Sequence, residues 1–135
     1  MAVDRIGSLL ARAHGVVRHQ MTNALEGSGL HLGHVAILSL LADGAGRTQK
    51  TLGAETGIEK SSMVLFLDFL EKEGWVERRP HPTDRRAYLV TLTSNGARRL
   101  QNVGPRLGAA QVQAFSMLSA EEQAQLAAML RKLIG

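Results

Sequence analysis

Four arginines crowd the run Trp75-Val-Glu-Arg-Arg-Pro-His-Pro-Thr-Asp-Arg-Arg-Ala-Tyr-Leu-Val-Thr-Leu-Thr93: Arg78, Arg79, Arg85 and Arg86. A guanidinium is always charged and presents a planar fork of donors, so its chemistry here is anion recognition rather than proton transfer. Two strand-like runs, Trp75–Arg79 and Ala87–Leu92, flank the tip, and Tyr88, Val90 and Leu92 share one face of a period-2 pattern. Pro80 and Pro82 cannot donate to a ladder, so the tip is expected to project rather than pair. Asp84 is spaced to orient one of the arginines. Such a stiff cationic finger suits insertion beside phosphates or into a narrow minor groove. A solvated, salt-bridged hairpin is the competing reading.

Other chemistry is sparsely represented. The histidines stand at 14, 19, 31, 34 and 81. His14 and His19 are five apart, which aligns poorly on a helix face, and His31 and His34 straddle an expected helix start. With no cysteine and no nearby acid cluster, no metal site is expected. The chain shows no glycine-rich phosphate loop, no nucleophile elbow and no carboxylate pair at catalytic spacing, so neither an enzyme nor a cofactor is expected. Asp68, Glu71 and Glu73 read as the solvated side of a helix.

Composition narrows the class further. The chain has 135 residues, of which 44% are hydrophobic and only 4% aromatic, so a mostly aliphatic, helix-rich single domain is expected. Net charge is a modest +4 but is unevenly placed. Between Arg78 and Arg99 there are six arginines and one acid, whereas 55–77 is acid-rich. One basic edge facing a polyanion follows. The absence of cysteine removes disulfides and thiol switches, and a reducing cytoplasm fits. No secretory signal and no run of about 18 apolar residues is present, so a soluble cytoplasmic protein without membrane association is expected.

The elements that must position the finger follow from periodicity and punctuation. Leu9, Leu10, Ala13, Val16, Val17, Met21 and Leu25 predict a first helix, stopped by Gly27 and Gly29. A second, nearly all apolar helix spans about 33–41, and Asp43–Gly46 is a turn. Thr48 caps a short third helix that ends at Gly57, and a fourth runs from about Glu59 to Glu73, with Gly74 as its stop. After the hairpin, Thr93 caps a long helix that Gly104-Pro105 is expected to kink or interrupt. Ser119 with Glu122 is a capping box opening the last helix, whose stripe is Leu126, Met129, Leu130 and Leu133. No internal repeat is present. The N- and C-terminal stripes supply more apolar surface than a small wing domain needs, which points to burial in a partner chain.

Leu52-Gly53-Ala-Glu-Thr-Gly57-Ile58 followed by Ser62-Met63 fits helix-turn-helix grammar. Gly53 would allow close helix crossing, Gly57 the left-handed turn, and Leu52, Ile58 and Met63 the small core. A basic hairpin directly after the second of these helices makes a joint signal. Thr48-Gln49, Gly57-Ile58, Leu67-Asp68, Leu70-Glu71, Gly74 to Arg79, Pro82, Asp84-Arg85-Arg86 and Leu89 to Thr93 together resemble the multiple antibiotic resistance regulator (MarR) family, most strongly over about 33–100. The resemblance implies a mostly α fold with a small β-hairpin wing. It also implies a triangular homodimer with intertwined terminal helices (about 1–32 and 100–135) and two winged helix-turn-helix lobes (about 33–99). A pseudo-palindromic operator in double-stranded DNA, and release by a small aromatic or anionic effector, complete what it implies.

Residue by residue, the resemblance implies that Asp84 holds Arg86 at the wing tip for the minor groove while Arg85 contacts phosphate, or that the two arginines share those jobs. Arg79 belongs to the same DNA-facing set. Thr48 and Gln49 would sit on phosphate at a helix N-terminus, and Lys60, Ser61 and Ser62 would offer the first turn of the recognition helix to the major groove. The chain departs from the family at Val64-Leu65, where members commonly carry Thr or Ser followed by Arg, and at Phe69, often polar or basic elsewhere. Leu65 could meet a thymine methyl. Alternatively Val64, Leu65 or Phe69 packs inward. His14, Arg18 and His34 are candidate effector-pocket residues. The expected function is therefore a ligand-responsive transcriptional regulator, in the first instance a repressor. A winged-helix module that binds protein, and an architectural DNA binder without a ligand, are the alternatives.

Overall fold

A computed structural model describes residues 2–135, with side chains from residue 5 onward. The order is α1 (Ala2–Ala24), α2 (Leu32–Leu40) running into a 3-10 turn at Leu41–Asp43, α3 (Gln49–Thr56), α4 (Lys60–Lys72), β1 (Val76–Pro80), β2 (Tyr88–Leu92), α5 (Ser94–Ala114) and α6 (Ala120–Ile134). Backbone contacts separate two units: the chain up to Ala24 together with Arg106–Gly135, and Leu25–Pro105.

The central unit is built on an aliphatic core. Ile37, Leu38, Leu41, Leu52, Met63, Leu67, Leu70, Val76 and Val90 are all buried and in mutual contact, so α2, α3, α4 and the hairpin are tied through one cluster. At about 25 cal/mol per Å2 of apolar area removed from water, this cluster dominates the stability of the unit. β1 and β2 pair antiparallel with Val76 opposite Leu92, Arg78 opposite Val90 and Pro80 opposite Tyr88. Pro80 thus closes the ladder at its outer end, where its missing N–H costs nothing. Of the three β2 residues expected on the inner face, Val90 is buried and Leu92 packs on the core, but Tyr88 is 61% exposed because it lies at the tip, beyond the core.

A third extended segment escaped the sequence reading. Arg47 N–H donates to the Val90 carbonyl at 3.0 Å and Val90 N–H returns the bond to Arg47 at 2.8 Å. The Arg47 guanidinium then holds Asp43 Oδ2 at 2.9 Å, Glu55 Oε2 at 3.2 Å and the Leu40 carbonyl. Its hydrogen bonds keep the Asp43 carboxyl below the usual carboxylate range. The i,i+4 acid–base spacing of Asp43 and Arg47 was the available signal, hidden inside a glycine-rich turn.

Two histidines start α2. His31 is its N-cap: Nδ1 accepts from Gly33 N–H at 2.9 Å, while His34 Nδ1 accepts from His31 N–H at 3.0 Å. This is a capping box in which imidazole replaces the usual hydroxyl and carboxylate, and both rings must keep Nδ1 bare and carry the proton on Nε2. Phe66 of α4 stacks on His31 at 5.1 Å, Phe69 stacks on His34 at 4.6 Å, and Trp75 meets the edge of Phe69 at 5.8 Å. The Arg99 guanidinium lies 5.0 Å from the Trp75 ring centre. A Cβ on residue 33 would overlap the Phe66 ring, so Gly33 admits the stack. Burial, with an electrostatic contribution from nearby His31, lowers the His34 pKa to about 4.

Thr93 joins the hairpin to α5: its hydroxyl donates to the Gly74 carbonyl at 2.6 Å and accepts from Gly96 N–H at 3.0 Å. Of the kink or interruption expected at Gly104-Pro105, the interruption does not occur: α5 is one helix with Pro105 inside it. Val103 and Leu107 are buried on either side of the proline. In the other unit, Ser119 and Glu122 form the predicted capping box, and Arg106 Nε donates to the Ala24 carbonyl at 2.8 Å. Apolar side chains on this unit remain exposed, among them Leu9 at 59%, Val16 at 58%, Met129 at 57% and Leu133 at 72%.

Candidate nucleic-acid interface

α3 and α4 form the helix-turn-helix. Thr48 caps α3, its Oγ1 accepting from Thr51 N–H at 3.2 Å. Gly57 ends it with a φ of +74°, a left-handed conformation that glycine adopts without strain. Thr56 staples the turn, donating to the Leu52 carbonyl at 2.6 Å and accepting from Ile58 N–H at 3.2 Å, a role the sequence reading missed. Gly53 is less demanding than expected: an added Cβ would stand 3.6 Å from the Ile58 carbonyl, an ordinary contact. Leu52 and Met63 are buried with Ile58 packed beside them.

The N-cap of α4 is Glu59, whose side chain makes no capping bond. The first helical bond is Met63 N–H to the Glu59 carbonyl, so the N–H groups of Lys60, Ser61 and Ser62 remain available at the positive end of the helix dipole. Lys60 and Ser61 are exposed and Ser62 is partly so. The open question about the apolar run is settled by burial. Val64 is 38% and Leu65 70% exposed, whereas Phe69 turns inward onto His34 and Trp75.

The four arginines do not act as one cluster. Arg78 reaches back to α4, with Nη2 3.0 Å from Asp68 Oδ1 and Nη1 3.0 Å from Glu71 Oε1. It braces the base of the wing against α4; Asp68, Glu71 and Glu73 lie on the exposed side of that helix as expected, and the first two also pair with Arg78. Arg79 pairs with Glu77 at 3.0 Å while remaining exposed. Arg85 and Arg86 are exposed and have no acid partner among the described residues. Asp84 does not align a guanidinium: its Oδ1 accepts from the backbone N–H of Arg86 at 2.9 Å. An Asx turn satisfies the amide within the tip and leaves the long side chain outside. His81 completes the tip, its Nδ1 accepting from Thr83 N–H at 3.2 Å and Asp84 N–H at 3.0 Å.

A cleft of about 250 Å3 brings Thr48, Gln49 and Lys50 together with Arg78, Arg86 and Tyr88. The start of α3 and the root of the wing thus share one basic recess, in which helix N–H groups and guanidinium donors favour an anion. Of the candidate effector residues, His14 and Arg18 are exposed one turn apart on α1, and His34 is enclosed in the aromatic stack of the central unit. No group of three or more metal-ligating side chains occurs among the described residues, and none of their helices is long and apolar enough to cross a membrane.

The sequence model of the MarR family matches residues 28–87, which cover α2 to the end of the wing tip. A MarR-family transcriptional regulator from Rhodococcus sp. RHA1 superposes with a TM-score of 0.89 at 30% identity, covering 99% of this chain and 95% of that one. CouR from Rhodococcus jostii RHA1, solved with p-coumaroyl-CoA bound, gives a TM-score of 0.86 at 30% identity over 99% of this chain and 94% of CouR. The transcriptional repressor MprA of Escherichia coli is 36% identical over 84 residues, 62% of this chain and 48% of MprA.

Proposed function

This chain belongs to the MarR family and is a winged-helix transcriptional regulator, and from that premise we propose that it is a homodimeric repressor of a pseudo-palindromic operator, released by a small effector. The observation that carries the reading is the pair Arg85 and Arg86, held on a stapled tip without acid partners among the described residues, together with a recognition-helix start that has no side-chain cap. One protomer would supply α4 to a major groove, the wing tip to the adjoining minor groove, and the α3–wing recess to the phosphates between them. Arg86, which lines that recess, takes the phosphate role, and Arg85 the outer position at the groove. Thr48, Gln49, Lys60, Ser61 and Arg79 complete the backbone-contacting set.

The exposed apolar faces of α1 and α6 support dimerisation, because a monomer would leave Leu9, Val16, Met129 and Leu133 in water. Effector release fits a population shift in which a ligand favours a lobe spacing unsuited to half-sites about one helical turn apart. CouR's bound acyl-CoA thioester supports an aromatic or anionic effector. On this reading the protein works on DNA in the cytoplasm and has no enzymatic activity.

Selection of bound duplexes from a random DNA library tests this reading. A shared inverted repeat, bound by a species of twice the chain mass in light scattering, is the expected result. A monomer that selects no sequence would overturn it.

A further inference from the structure

The outward face of α4 has an unusual chemistry for a helix that reads bases. Ser61, Val64, Leu65 and Asp68 recur at helical spacing on the side opposite the buried Met63, Leu67 and Leu70. The side chains that most often read purine edges are arginine or lysine for guanine and asparagine or glutamine for adenine. α4 contains no arginine, asparagine or glutamine, and its lysines stand only at its first and last positions, Lys60 and Lys72. Asp68, the one other polar group deep on this face, is held by Arg78 at 3.0 Å. What remains at the centre is a pair of branched apolar side chains, with Leu65 70% exposed. The core does not need them there, because Leu67 and Leu70 already fill it at 0% exposure.

Charge around the pair indicates what covers it. Lys60 stands at the start of the helix, and exposed Arg85 and Arg86 stand on the wing. A lysine beside Val64, with Glu59 and Ser61, and two exposed arginines on the wing make a small apolar centre in a basic lobe, which matches a DNA major groove, where phosphate ridges border the base edges. Among those edges one group is apolar, the C5-methyl of thymine.

We propose that Val64 and Leu65 are the specificity-determining residues of α4 and that they read thymine by its C5-methyl group. The inference rests on the DNA-binding reading above. It has a particular consequence: recognition at these positions follows the methyl group and not the hydrogen-bonding pattern of the base. A 5-methylcytosine·guanine pair presents a methyl at the same place, so it substitutes for thymine·adenine where unmethylated cytosine does not.

The test uses the full-length protein and the duplex recovered from random-library selection, with each thymine replaced singly by deoxyuridine. Returning one methyl-sized contact to water weakens binding about fourfold. One or two positions per half-site should show that loss, and 5-methylcytosine at the same positions should bind within about twofold of thymine. Leu65→Ser is at an exposed site and preserves the fold; at one or more of the sensitive positions it should bind thymine and deoxyuridine equally, any discrimination left being that of Val64. Uniform tolerance of deoxyuridine across a duplex that is still bound tightly would overturn the methyl readout and leave the regulator assignment standing. Selection of no duplex at all would overturn both. A Leu65→Ser protein that keeps thymine discrimination but changes mass in light scattering would assign the pair to a protein contact and equally overturn the proposal.

Discussion

Asp84 Oδ1 accepts a hydrogen bond from the backbone N–H of Arg86 at 2.9 Å, so the carboxylate shapes the wing tip and leaves the Arg86 guanidinium uncompensated. A carboxylate bound directly to the guanidinium would compete with phosphate for the same donors. Bound to the amide, it fixes the direction in which the side chain leaves the tip and costs none of its donors.

That distinction separates two variants. Asp84→Asn keeps an acceptor oxygen and should bind DNA within about twofold of the native protein, whereas Asp84→Ala loses the turn. One lost hydrogen bond, about 1 kcal/mol, corresponds to about fivefold weaker binding. Anisotropy titrations of the selected duplex provide the comparison. Equal losses for Asn and Ala would mean that the negative charge, and not the acceptor, is what matters.

Arg78 should behave unlike its neighbours because it is spent on Asp68 and Glu71. Its side chain is only 24% exposed, so the network is worth about 1 kcal/mol, the upper end for surface pairs. Arg78→Ala should lower Tm by about 3 °C. Arg86→Ala, with no acid partner to lose, should leave Tm unchanged. Thermal unfolding of the two variants in parallel decides it, and the reverse ranking would remove Arg78 from its bracing role.

Acid should loosen the start of α2. The His34 pKa falls from 6.5 to about 4 in the folded state, so the unfolded chain takes up this proton more readily. Stability from this group is complete above pH 6.5, declines as pH falls, and is lost by about pH 4. Allowing for solvent screening, the change is about 2 kcal/mol. His34→Gln retains an acceptor suited to a capping box and cannot titrate. Urea unfolding should show that this variant loses part of the native slope between pH 6.5 and 4; an unchanged slope would relieve His34 of the effect.

Local chemistry made much of this molecule legible. Thr48, Gly57, Gly74, Thr93 and Ser119 marked helix boundaries because capping and left-handed turns depend on a few adjacent residues. The hairpin was legible for the same reason. Arg78 was misplaced because its partners lie on α4, 7 and 10 residues away in sequence, and nothing in its immediate neighbours reports them. Arg47 was missed because its pairing with Val90 joins segments far apart in the chain. The His31–His34 cap was missed, since imidazole rarely does the work of a capping hydroxyl, and His34 was singled out only as an effector-pocket candidate. Pro105 shows the opposite case: the local rule foresaw a kink or an interruption, and the helix is not interrupted.

The central claim is that the wing carries more of the affinity than the first turn of α4, and a salt series of binding titrations on the selected duplex tests it most directly. If the dimer neutralises roughly 8 phosphates, log affinity should fall with log salt at a slope near −7. Arg86→Ala should weaken binding at least tenfold and flatten that slope by about 2 for the dimer, one phosphate per protomer, while Ser61→Ala costs less than threefold. Equal losses for the two variants, or an Arg86→Ala slope unchanged from the native protein, would contradict the account.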